Sequence, residues 1–190
     1  MKAQARVAGV DDAPFRFGDA RTEVVCAITR MPSYLEGVII GSVAVDGDDA
    51  NEVLLNLLGK SRYVEGLSLI LLDGIALGGF NVLDIDILHE ELGIPVATVT
   101  RDEPDIDSMV KALRSRFHDW ERRAEVIRRK RIQRIQTGHK PLHVTCEGIS
   151  LAELREAIAI STVRGVLPEP IRMAHLIATA IAKGESHGRA

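Results

Sequence analysis

Apolar residues in the first half of the chain come in short unbroken runs, and those in the second half recur at helical intervals. Residues 5–11, 22–29 and 37–45 are rich in valine, isoleucine and alanine. Turn residues separate them: Ala13-Pro14, then Pro32, then Gly47-Asp48-Asp49. Three successive strands with no helical spacing between them predict an antiparallel meander. From Asp49 onward, Val53, Leu54, Leu57 and Leu58 predict a helix, with Asp48 or Asp49 as its N-cap. Residues 67–72 (LSLILL) are continuously apolar, the mark of a strand covered on both faces, and the run stops at Asp73-Gly74. Val82, Ile85, Leu88 and Leu92 predict a helix closed by Gly93, leading into a strand over 95–99. Further helices are predicted over 106–117, 118–135, 151–162 and 170–182, with 143–145 as an edge strand.

This order predicts an α/β protein with a mixed sheet and helices on both faces. A length of 190 residues, 46% hydrophobic and 27% charged, suits one globular domain over residues 1–190, with 183–190 as a frayed polar tail. No run is long enough to span a bilayer and no hydrophobic signal segment follows Lys2, so a cytoplasmic location is expected. Cys26 and Cys146 lie far apart and have neither disulfide-framework nor metal-knuckle spacing, which leaves them as packing residues.

Charge changes this picture. The net −3 conceals a segment, residues 120–140, that holds eight lysines and arginines against two glutamates. That leaves about +6 there and −9 on the rest. Arg122, Arg128, Arg129, Lys130 and Arg131 therefore form either a solvated helix face, an oligomer contact or a surface for a phosphate backbone. Asp11, Asp12, Asp46 and Asp73 fall at the ends of predicted strands, where ligands of α/β sheets gather. Carboxylates that converge repel unless a cation neutralises them, and Mg²⁺, with its preference for oxygen, fits such a cluster. Asp48 and Asp49 read more simply as a turn and cap, and at least one of Asp84 and Asp86 as a solvated helix face. His175, flanked by Met173, Ala174, Leu176 and Ile177, is either a packing residue or a site residue.

Several segments together resemble endonuclease V: Val7-Ala8-Gly9-Val10-Asp11, Leu72-Asp73-Gly74, the strand ending at Arg101, and Pro168-Glu169-Pro170 followed by Arg172, Ala174 and His175. The smaller archaeal sister family, endonuclease dU, is more similar still, through Gly9–Phe15, Tyr34–Val38, Val45-Asp46-Gly47, Leu72–Ile75 and Gly79–Val82 with Asp84. The resemblance implies a ribonuclease H-like fold with a five-stranded mixed sheet. It also implies metal-dependent cleavage of DNA near a deaminated base, deoxyuridine in the sister family. Carried over by position, Asp11, Asp73 and His175 would be catalytic, with Asp11 and Asp73 holding Mg²⁺ or Mn²⁺ and Asp46 or Asp12 completing the shell. Arg101, standing where endonuclease V has lysine, would hold a phosphate, and Tyr34 would wedge or stack at an extruded base. An ungapped match places Val43 where endonuclease V has a glutamate, and residues 76–79 replace its histidine-proline.

The function expected is a Mg²⁺-dependent endonuclease of DNA repair, its partner DNA carrying a deaminated base. The alternative is a weakly catalytic or non-catalytic nucleic-acid-binding protein on the same scaffold.

Overall fold

In a computed structural model, which describes residues 4–16 and 18–187, the apolar run of β4 (Leu67–Asp73) lies at the centre of a seven-stranded sheet. To one side stand β1 (Arg6–Asp12), β2 (Arg21–Arg30) and β3 (Tyr34–Ala44). To the other stand β7 (Val96–Thr100), β9 (Leu142–Glu147) and β8 (Gln133–Ile135), giving the order β3-β2-β1-β4-β7-β9-β8. The first three strands are antiparallel, and β4 runs parallel to both β1 and β7. The α/β mixed class holds, but the sheet has seven strands rather than five.

The two extra strands come from the second half. Residues 118–135 do not form one helix: α4 (Trp120–Arg129) ends early, and β8 pairs antiparallel with β9, burying Ile135 against the sheet. Ile132 and Ile135 keep a spacing that continues the helix, yet burial of Ile135 and coverage of β9's open edge decide for a strand. A two-stranded hairpin, β5 (Ala76–Leu77) and β6 (Asn81–Val82), occupies the expected start of the second helix. That helix, α2 (Ile85–Leu92), instead begins after the Asp84 cap.

Alternation along the strands divides the core. Ala8, Val10, Ile70 and Leu72 face α1 (Ala50–Gly59) and α2, packing against Leu54, Leu58 and Leu88. Val7, Leu69, Leu71 and Val99 face α5 (Leu151–Ser161) and α6 (Glu169–Lys183), against Leu154, Ile158 and Ile171. Both faces of β4 are covered, which is why its sequence shows no alternation. α3 (Ile106–Arg116) and α4 form a separate packed pair around Leu113, Ala124 and Ile127. Gly184, in the left-handed conformation, ends α6, and residues 188–190 of the expected tail lie outside the described residues. No described helix is long and apolar enough to cross a membrane.

Candidate functional site

Register brings the first two carboxylates together. Gly9 pairs with Leu71 and Val10 with Leu72, so the next step along these parallel strands sets Asp11 beside Asp73 on the face of α6. α6 reaches that face because residue 9 is glycine: a Cβ there would stand 2.0 Å from the Pro170 carbonyl carbon. With Pro170 and Ile171 against Gly9, one further turn of helix, about 6 Å for four residues, carries His175 alongside Asp11, about 6.6 Å up the strand from Gly9. His175 Nδ1 lies 2.8 Å from Asp11 Oδ2. Ligand atoms of Asp11, Asp73 and His175 all fall within 4.8 Å of one another.

The electrostatics of the trio favour a cation. Asp73 is pushed up to about 6, first by burial and then by the charge of Asp11, while Arg101 and His175 oppose the shift. His175 is raised, first by its hydrogen bond to Asp11. Two crowded carboxylates and one imidazole at a strand end match a divalent ion that accepts oxygen and nitrogen donors.

The remaining acids lie outside this trio. Asp12 sits on the opposite face of the same strand end, beside the backbone N–H of Gly78, and is pushed up to about 7 by burial first and then by Asp11. Asp46 adopts a left-handed backbone (φ 55°). Its Oδ1 accepts from the Phe80 N–H at 2.9 Å and its Oδ2 from Arg116 at 2.7 Å. It joins the loop after β3 to the β5–β6 hairpin and α3, and Gly79 allows this, since a Cβ there would stand 2.5 Å from Asp46 Oδ1. Val43 is fully buried in the core facing α1.

Topology removes Tyr34 from the centre. It opens β3 opposite Arg30, which pairs with Arg6 at the start of β1, so it stands at the other end of the sheet from Asp11. It is 68% exposed there, level with Arg6 and so five residues along β1 from Asp11. The aromatic at the correct end is Phe15, on the β1–β2 loop near Gly79 and Asp46 and 37% exposed. Its place four residues after Asp11 is the signal for it in the sequence.

The basic segment also changes meaning. Arg122 pairs with Asp48 at 2.6 Å and Asp119 at 2.9 Å, and Arg129 with Asp84 at 2.7 Å. Lys130 is held by Asp86 and Glu147. Arg123, 6% exposed, donates to the carbonyls of Asp46, Gly47 and Phe80 and to Asp119, and stacks over Phe117. Expected as a phosphate-facing arm, this helix is largely neutralised by acids of its own chain. Arg128 makes only a 3.7 Å pair with exposed Asp107, and Arg131 has no ion pair among the described residues. Arg101 follows β7 at the sheet end that carries Asp73.

Residues 3–182 match the model of the family described as Endonuclease dU. The chain belongs to the endonuclease dU family. Its relatives include a UPF0215 protein of Methanothermobacter thermautotrophicus, 41% identical over all of this chain and 94% of the other. One from Methanosarcina barkeri is 38% identical over all of this chain and 97% of its own. A solved protein of unknown function from Archaeoglobus fulgidus superposes with a TM-score of 0.84 at 33% identity, covering 93% of this chain and 97% of that one. Endonuclease V of Ciona intestinalis, solved with a 24mer DNA containing an inosine followed by a ribo-adenosine, superposes at 0.58 with 14% identity, covering 90% and 82%. At that identity the likeness is one of fold.

Proposed function

We propose that this chain is a divalent-metal-dependent endonuclease that cleaves DNA at or near deaminated bases, deoxyuridine foremost, in DNA repair. The observation that carries the reading is the convergence of Asp11, Asp73 and His175 at one end of the sheet. The family description names deoxyuridine chemistry, and a protein of this fold has been solved on inosine-containing DNA.

Mg²⁺ or Mn²⁺ at the trio would supply Lewis acidity toward a phosphate oxygen. Asp11 and Asp73 would hold it. Asp11 engages His175 Nδ1 and fixes the ring, leaving Nε2 to give or take a proton at a reacting oxygen. Arg101 offers a planar guanidinium to a phosphate at the same strand ends. A base inside a duplex must leave the stack to be read, which costs least for a mismatched uracil.

The test is cleavage of labelled duplexes carrying uracil, hypoxanthine or no lesion, with Mg²⁺ or Mn²⁺, by wild type and Asp73→Asn. Uracil duplexes should be cut fastest. Asp73→Asn should lose about two orders of magnitude or more, the equivalent of several kcal/mol of charge stabilisation. Equal cutting of plain and lesion duplexes would sink the repair reading. One observation favours the non-catalytic alternative: among the described residues no third carboxylate joins the trio. That alternative predicts duplex binding without lesion-dependent cutting.

A further inference from the structure

A cavity of about 430 Å³ lies among the ends of β4 and β7, strand β9 and the α3–α4 pair. Asp73 and Arg101 stand in its wall, so it adjoins the candidate metal centre directly. Ile106 and Met109 give it an apolar side. Thr98 and Thr145 line it from neighbouring strands, are 5% and 4% exposed, and face away from α6, opposite to Val99 and Val144.

These threonines carry an unspent donor. Their hydroxyl oxygens lie 2.8 Å apart, and Thr98 Oγ1 also accepts the Thr145 backbone N–H. Two hydroxyls hold two hydrogens, and the bond between them uses one. Whichever way that bond points, the other hydrogen remains for an acceptor in the cavity. Asp73, Asp102 and Glu103 outnumber Arg101 in the lining and oppose an anion, while the apolar side and the hydroxyls suit a flat, uncharged ring bearing a carbonyl.

We infer that this cavity receives the extruded nucleobase, a planar uncharged heterocycle whose carbonyl oxygen accepts from the Thr98–Thr145 pair, while the adjoining phosphodiester lies at Asp11, Asp73 and His175. The inference rests on the nuclease reading and adds the place where the lesion is read. It separates reading, by threonines on one face of the sheet, from cutting, by the trio on the other.

Two variants test it: Thr145→Val removes a hydroxyl at nearly constant volume, and Met109→Trp fills the cavity from its apolar side. Each is assayed on uracil and plain duplexes and titrated with Mn²⁺. The ratio of uracil to plain cutting should fall about tenfold to a hundredfold, with Mn²⁺ affinity unchanged. An unchanged ratio in both variants overturns the inference. If wild type cuts no DNA with either metal, the nuclease reading fails by itself. The cavity is then decided by titrating deoxyuridine, the uncharged nucleoside, into the protein and following amide resonances. Shifts at Thr98 and Thr145 that vanish in Met109→Trp uphold a base site, and no shifts there overturn it.

Discussion

Asp73 and Asp12 are both held above the ordinary carboxyl range by burial first and then by the charge of Asp11, at about 6 and about 7. Each keeps a proton in the folded chain at pH values where the unfolded chain has lost it. Their contribution to stability therefore falls as pH rises from about 4 to about 7. His175 acts in the same direction: its pKa is raised by the hydrogen bond to Asp11, so its stabilisation is full below about 6.5 and is lost as pH climbs through the raised value. Acids held low by arginine or backbone partners, such as Glu36 and Asp119, lose their contribution only below about 4 and leave this window alone. Metal-free protein should thus melt at a lower temperature at about pH 7.5 than at about pH 5.5, and Asp73→Asn should flatten the slope. Added Mg²⁺ should restore stability at the higher pH, where its ligands are ionised. Calorimetry across the window checks this, and a wild-type melting temperature that rises with pH would contradict it. At the same scale, Phe15→Ala should weaken binding of a uracil-containing strand by about 1–3 kcal/mol, the worth of one base stacked on an aromatic. Tyr34→Ala, at the far end of the sheet, should leave binding unchanged.

The pairing of α6 with β1 is the contact that builds the trio, and Gly9 is where it is closest. Gly9→Ala should force the helix off the strand, cost about 1–3 kcal/mol or more as overpacking, and lower Mn²⁺ affinity together with stability. Thermal unfolding and Mn²⁺ titration on the same sample read both, and a stable variant with wild-type affinity would show that α6 does not position His175 in this way. The α3–α4 pair depends on Arg123 instead. Its guanidinium satisfies three carbonyls and Asp119 under Phe117. Arg123→Ala would strand those acceptors and should destabilise the fold by about 3–5 kcal/mol, read as a lower denaturant midpoint.

Across the whole molecule, the acidic body and basic segment seen in the composition are largely partners of each other. Exposed pairs of this kind contribute little individually, but they leave fewer cations for an outside phosphate backbone. Arg131 and Arg134 have no ion pair among the described residues, and Arg134 sits opposite His143, which lines the cavity beside Asp73. Arg134→Ala should reduce the slope of log affinity against log salt for duplex DNA by about 1. Arg129→Ala should lower the melting temperature with a smaller change in that slope. The reverse ranking would restore α4 as the phosphate track.

The pattern of residues determined much of this protein. The continuous apolar run before Asp73 specified a doubly covered central strand, the three early aliphatic runs specified the meander, and Asp11 and Asp73 followed as strand-end acids, because side-chain period and burial are local properties of the chain. Tertiary structure decided the rest. Whether Asp46 and Asp12 join Asp11 depends on strand face and loop conformation, the end of the sheet that holds Tyr34 depends on antiparallel register, and the fate of the basic segment depends on which acids fold beside it. β8 required an unpaired edge on β9, and Gly9 gained its meaning only when α6 lay across it. These are contacts between residues distant in sequence, and no local spacing encodes them.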